Sequence, residues 1–91
     1  MLRITEQSHP AGRKAVVLEG RLVGPWVEEL RRVIREAGAA EITVDLEAVS
    51  FADEDGVAAL RGLRDSGVRI AGSSGFLAAL IRGEDGDERG R

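Results

Sequence analysis

The sequence predicts an α/β fold: a single small domain in which a mixed four-stranded β-sheet has three helices packed on it, in the order β-β-α-β-α-β-α. Three observations lead there. Short stretches alternate apolar and polar residues, as half-buried strands do. Longer stretches place apolar residues on one stripe at helical spacing. The two kinds of stretch alternate after an opening pair of strands, which calls for parallel pairing and right-handed crossovers.

The elements follow in chain order. Leu2 and Ile4 alternate with Arg3 and Thr5, a strand pattern, and Ser8-His9-Pro10-Ala11-Gly12 is turn chemistry. Ala15-Val16-Val17-Leu18 is a continuous apolar run, expected as a central strand covered on both faces and hairpin-paired with the first. Gly24-Pro25 opens a helix whose stripe is Trp26, Val27, Leu30, Val33, Ile34 and Ala37. Glu28 and Glu29 are expected in its first turn, with Glu28/Arg32 and Arg32/Glu36 pairs four residues apart and Gly38 as its stop. Ile42, Val44 and Leu46 form a third strand, followed by a loop through Ser50 and Phe51. Val57, Ala59, Leu60 and Leu63 mark a second helix ended by Ser66-Gly67, and Val68 and Ile70 a short fourth strand. Gly72-Ser73-Ser74-Gly75 reads as a strand-to-helix turn with Ser74 as N-cap. Phe76, Leu77, Leu80 and Ile81 give a third helix closed by Gly83.

Composition narrows the chemistry. The chain has 91 residues, 43% hydrophobic and 32% charged, which is one globular domain. With no Cys and one His, it has no thiol nucleophile, Cys zinc site, iron–sulfur cluster or multi-histidine metal site. The net charge is −3; Glu84, Asp85, Asp87 and Glu88 against Arg89 and Arg91 account for −2 of it, leaving −1 for residues 1–82. That body has no basic stripe for phosphate neutralisation, so nucleic acid is not an expected partner. No apolar run is long enough to span a membrane and no signal-peptide pattern opens the chain, so a cytoplasmic, reducing setting is expected. Residues 1–82 are expected to form the domain, and 83–91 a disordered acidic tail. No P-loop occurs. His9 lies among turn residues with no Ser/Asp arrangement beside it, and Trp26 reads as part of the core stripe.

The informative stretch is Val44-Asp45-Leu46-Glu47-Ala48-Val49-Ser50-Phe51-Ala52-Asp53-Glu54-Asp55-Gly56-Val57. It resembles the STAS domain family, the anti-sigma-factor antagonists and their relatives, whose pattern reads roughly D-L-S-x-V-x-F-x-D-S-S-G-L. Asp45, Leu46, Val49, Phe51, Asp53 and Gly56 match, with Val57 as the final aliphatic residue; Leu18-Glu19-Gly20-Arg21-Leu22 is similar to the family's L-x-G-x-L strand end. The resemblance implies a bacterial-type signalling protein that regulates transcription by binding another protein, without catalysis or cofactor. An anti-sigma factor kinase or a related signalling kinase would be its partner. In the family a serine directly before the glycine is phosphorylated by that partner, and phosphorylation blocks binding. Here that position is Asp55 and the one before it is Glu54, so the ordinary phosphoserine switch has no hydroxyl.

Two readings of the acids stay open. Asp55 can imitate phosphoserine in part, since a carboxylate carries −1 and the phosphate about −1.5 to −2. Alternatively, Asp53, Glu54 and Asp55 form a cap and a first turn that complement the helix dipole. The partner-binding surface is then expected over Val49–Gly56, with Ser50, Asp53, Glu54, Asp55 and Gly56 as its residues and the Gly20–Val23 turn beside it. The family domain continues into a further strand and helix where this chain ends, which would leave apolar surface for a homodimer or a standing partner. Val23 stands where many relatives carry an acid, which weakens transfer of nucleotide binding. Two other functions compete: a small cytosolic STAS subunit of a transporter complex, docked on its ATPase, and an acidic, metal-assisted phosphotransfer domain. Against the last, the three acids are consecutive and diverge around a helix turn, and the sole lysine is Lys14.

Overall fold

A computed structural model describes residues 1–38, 41–73 and 75–82, excluding the side chains of Phe76 and Arg82. Its strands are β1 (Leu2–Ser8), β2 (Arg13–Leu22), β3 (Glu41–Ala52) and β4 (Arg69–Ala71); its α-helices are α1 (Gly24–Ala37), α2 (Glu54–Asp65) and α3 (Gly75–Arg82). Strand order in the sheet is β1-β2-β3-β4, with β1 antiparallel to β2 and the other pairs parallel. The β1–β2 hairpin closes through a 3-10 turn at Pro10–Gly12, where the His9 N–H donates to the Arg13 carbonyl at 2.9 Å. The expected α/β architecture is therefore present, element for element. The expected N-cap Ser74, the closing Gly83 and the tail 83–91 lie outside the described residues.

Both parallel crossovers step in the same direction across the sheet, so their right-handedness places α1 and α2 on the same face. The core forms between that face and the helices. Val16, Leu18, Leu22, Val44 and Leu46 from the strands meet Val27 and Leu30 of α1, Ala59 and Leu60 of α2, and Leu77 and Ile81 of α3. The core defines one side of β2 alone, which corrects the expectation of a strand covered on both faces. Val16 and Leu18 are fully buried, whereas Ala15 and Val17, pointing the other way, are half-buried.

Other boundaries move for identifiable reasons. The segment expected as a loop through Ser50 and Phe51 is the second half of β3, which pairs with β2 to its end at Leu22↔Ala52. Two irregularities, between Val17 and Glu19 and between Gly20 and Arg21, each insert an extra β3 residue against β2. Each shifts the period-2 pattern, so the alternation is lost while the pairing continues. Asp45 supports the first: its Oδ1 accepts the Glu47 N–H at 2.9 Å.

α1 starts at Gly24, which places Pro25 second and Glu28 and Glu29 beyond the first turn. Arg32 bonds Glu29 and, at 3.2 Å, Glu36, not Glu28. These exposed pairs hold the guanidinium protonated, raising its pKa chiefly through the Glu29 hydrogen bond. Gly38 ends α1 in the left-handed region at φ 57°, a conformation in which a Cβ would be strained. Val68 precedes β4, its N–H donating to the Leu63 carbonyl at 3.0 Å.

Candidate functional site

β2 and β3 run parallel and end side by side, and each leads within two residues into a helix. The starts of α1 and α2 therefore lie together at the carboxyl ends of adjacent strands, the position where open α/β sheets form crevices. Each helix start exposes N–H groups without intrahelical partners and the positive end of the helix dipole.

Asp53 serves both helices. As N-cap of α2, it accepts the Gly56 N–H on Oδ1 at 2.8 Å. Its Oδ2 accepts the Gly24 N–H, at the start of α1, at 3.0 Å. α1 needs this outside acceptor because its own N-cap residue, Val23, has no side chain able to cap. The backbone N–H of Asp53 also donates to the Leu22 carbonyl at 3.1 Å. One half-buried carboxylate thus joins the ends of two strands to the starts of two helices.

Gly56 makes this approach possible. A Cβ there would lie 2.4 Å from the Leu22 carbonyl oxygen, inside any real contact distance. The glycine of the motif is thus required by backbone packing of α2 on β2, with no functional role needed to account for it.

Glu54 and Asp55 occupy the exposed first turn of α2. Asp55 leans toward α1: a Cβ on Gly24 would lie 3.3 Å from its Oδ2. It lines a shallow cleft of about 240 Å³ between the helices, together with Gly24, Val27, Glu28, Arg31 and Ala58. The acids separate by role: Asp53 is committed to backbone donors, while Asp55 presents its carboxylate to the surface. Among the described residues no three His, Cys, Asp or Glu side chains converge to hold a metal ion.

Ser50 is not gathered with the acids. Its exposed hydroxyl donates to the Gly20 carbonyl at 3.2 Å and ties β3 to β2. Two neighbours complete the region: Phe51, which lies within the expected Val49–Gly56 surface but was not singled out as a site residue, and one that sequence reasoning passed over. Phe51 is 45% exposed, the most exposed large hydrophobic residue after Met1 among the described residues, and the Arg21 guanidinium stacks over its ring at 4.6 Å from the centroid. The Arg21↔Phe51 register explains the contact, and the rephasing in β3 hides it from pattern reading. The other is Gly24, whose N–H is capped from a residue 29 positions away. The signal for it was a helix start, Val23-Gly24-Pro25, with no capping residue of its own.

No family model matches the sequence, and no curated protein matches it. Solved structures do. One is the anti-sigma factor antagonist SpoIIAA in its unphosphorylated form, 20% identical, with a TM-score of 0.67 over 88% of this chain and 82% of that one. Another is an antisigma-factor antagonist STAS domain from Rhodobacter sphaeroides, 26% identical, with a TM-score of 0.62 over 78% of this chain and 86% of that one. A third is the Bacillus cell fate determinant SpoIIAA in the phosphorylated form, 20% identical, with a TM-score of 0.63 over 90% of this chain and 83% of that one. The paired helix starts, the mixed sheet with its helices on one face and these likenesses agree: the chain has a STAS/SpoIIAA-like fold.

Proposed function

We propose that this protein is a non-enzymatic, cytoplasmic interaction domain: a STAS-like anti-sigma factor antagonist or related signalling regulator that works without a phosphoserine switch. Its docking surface is the start of α2, where Glu54 and Asp55 are exposed and Asp53 and Gly56 fix the backbone that presents them, flanked by Ser50, Phe51 and the end of β2. The partner is a protein, of which an anti-sigma factor kinase is the expected kind.

The observation that carries this reading is the placement of Asp55. Its carboxylate is exposed beside two helix starts, at the position where the motif has a serine. Two of the similar structures are SpoIIAA in unphosphorylated and phosphorylated forms, which supports a regulatory reading of this turn. Asp55 offers a permanent negative charge and no acceptor hydroxyl. Exposed Phe51 with its stacked Arg21 supplies the apolar contact that a docking surface needs beside its charge.

The test begins with affinity capture from the native organism and identification of the bound protein. Asp55→Ala and Asp55→Lys should then weaken that complex, the lysine variant more because it reverses the charge. Unchanged affinity in both would remove Asp55 from the interface. With ATP and the captured kinase, the natural chain should acquire no phosphate on this turn, whereas D55S should become a substrate. Stoichiometric phosphoserine in the natural chain between Val49 and Gly56 would overturn the alignment.

A further inference from the structure

The helices take one face of the sheet, and no described element packs on the other. β2, β3 and β4 are parallel, and parallel sheets are ordinarily covered on both faces. Alternation along the strands fixes what the bare face carries. Its centre is small: Thr5 of β1, Ala15 and Val17 of β2, Thr43 of β3 and Ala71 of β4 share it. Asp45 stands beside Val17, its carboxylate already bonded to the Glu47 N–H.

Charged rows bound this centre. At one end Arg21 lies between Phe51, its register partner, and Met1, whose carbonyl accepts the Arg21 N–H at 3.0 Å. Met1 and Phe51 are the exposed large hydrophobics among the described residues. One row in, Arg3 and Glu19 pair with each other at 3.8 Å. At the other end Arg13 lies beside Glu41, which also lines a depression with Arg69. Arg13 donates through Nε to the Pro10 carbonyl at 3.3 Å. Among the described residues, Glu41 forms an ion pair with neither arginine.

We infer that a second copy of this chain covers this face, sheet against sheet, about a two-fold axis that runs along the strands between β2 and β3. The axis sets β2 of one copy on β3 of the other. Arg13 then faces Glu41 of the other copy, Arg21 faces Phe51, Ala15 faces Thr43 and Val17 faces Asp45. Thr5 of β1 comes over Ala71 of β4. No charged side chain lies directly over one of its own sign. An axis across the strands through Val17 would instead set Arg13 over Arg21 and Asp45 over itself. The charges of the face are thus self-complementary in one arrangement, as a two-fold contact between identical surfaces requires. Strands about 4.8 Å apart, rising about 3.3 Å per residue, give the face a footprint on the order of 450 Å². With the relief of the side chains added, two copies bury about 1,000 Å², the lower end of a specific interface. Phe51 also flanks the surface proposed at the start of α2; the pairing of copies stands without that proposal.

The test is sedimentation of the full chain at about 100 µM, where a contact of this size gives a dimer. Val17→Glu, at the centre of the face, should weaken association at least about tenfold while the far-UV circular dichroism is unchanged. Arg13→Glu and Glu41→Arg should each weaken it too, because like charges then meet twice across the axis. Mixed in equal amounts, these two variants should form a one-to-one dimer, since each supplies the charge that the other has reversed. Repulsion within one chain cannot be relieved by mixing, so the recovery reports contact between copies. A natural chain that sediments as a monomer, a dimer indifferent to Val17→Glu, or a mixture no more associated than its two parts would each overturn the inference.

Discussion

At the starts of α1 and α2 the unanswered groups are N–H donors, and a carboxylate answers them; at the end of α3 they are carbonyls, and two guanidinium groups answer them. The first joint is short and half-buried: Asp53 reaches Gly24 and Gly56 over 3.0 and 2.8 Å from a strand end that is itself bonded to Leu22. The second uses long side chains, with Arg61 and Arg64 spanning from α2 to the Leu80 and Ile81 carbonyls. It anchors α3 beside a strand of three residues, whereas the first rests on strands of ten and twelve. The contrast locates where this fold can hold a rigid surface. Charge placed at the α1–α2 joint is set by backbone geometry, whereas charge near α3 rides on flexible stems.

The sharpest way to break that contrast is Asp53→Ala. It removes the α2 cap and orphans the Gly24 N–H at once, so a loss of about 2–3 kcal/mol is expected from the denaturant midpoint. Amide exchange at Gly24 and Gly56 should accelerate together; acceleration at Gly56 alone would show that α1 does not depend on this carboxylate. Asp53→Asn, keeping one acceptor oxygen, should recover part of the loss. Gly56→Ala comes next, at about 2 kcal/mol, because α2 must move off the Leu22 carbonyl. An unchanged midpoint there would mean that this helix start is not seated on β2.

Arg64→Ala should cost about 1 kcal/mol, through the lost bond to Ile81 and the uncompensated helix end. Its effect should appear as faster exchange confined to α3, in contrast to the two-helix response at Asp53. Arg32→Ala calibrates the series. Its pairs with Glu29 and Glu36 are exposed and screened, so the denaturant midpoint should barely move, and less still at high salt.

Legibility in the sequence followed the same division. The α1 stripe, the Gly38 stop and the acids opening α2 are local signals, because each depends on neighbours within one or two helical turns. The β3 extension was hidden, since two extra residues break the alternation that marks a strand, and only pairing with β2 keeps 47–52 extended. The expectation of a doubly covered β2 failed for a related reason. Val17 is as apolar as Val16, and the handedness of both crossovers decides which of them the helices cover. At the site, the acids and Gly56 could be named from the resemblance to the family motif, but not which acid was structural. That depended on Gly24 arriving 29 residues away, within reach of Asp53.

The alternation of strands and helices, the apolar stripes that make the core, and the carboxylates without a hydroxyl before Gly56 are all written in the order of residues. These rest on periodicity and side-chain chemistry, which act over short stretches of chain. It takes the folded chain to commit Asp53 to two helix starts, to leave Asp55 at the surface, and to hold Phe51 exposed under Arg21. Those outcomes depend on strand register and on the side of the sheet the helices take, and both are set by contacts between residues far apart in the chain.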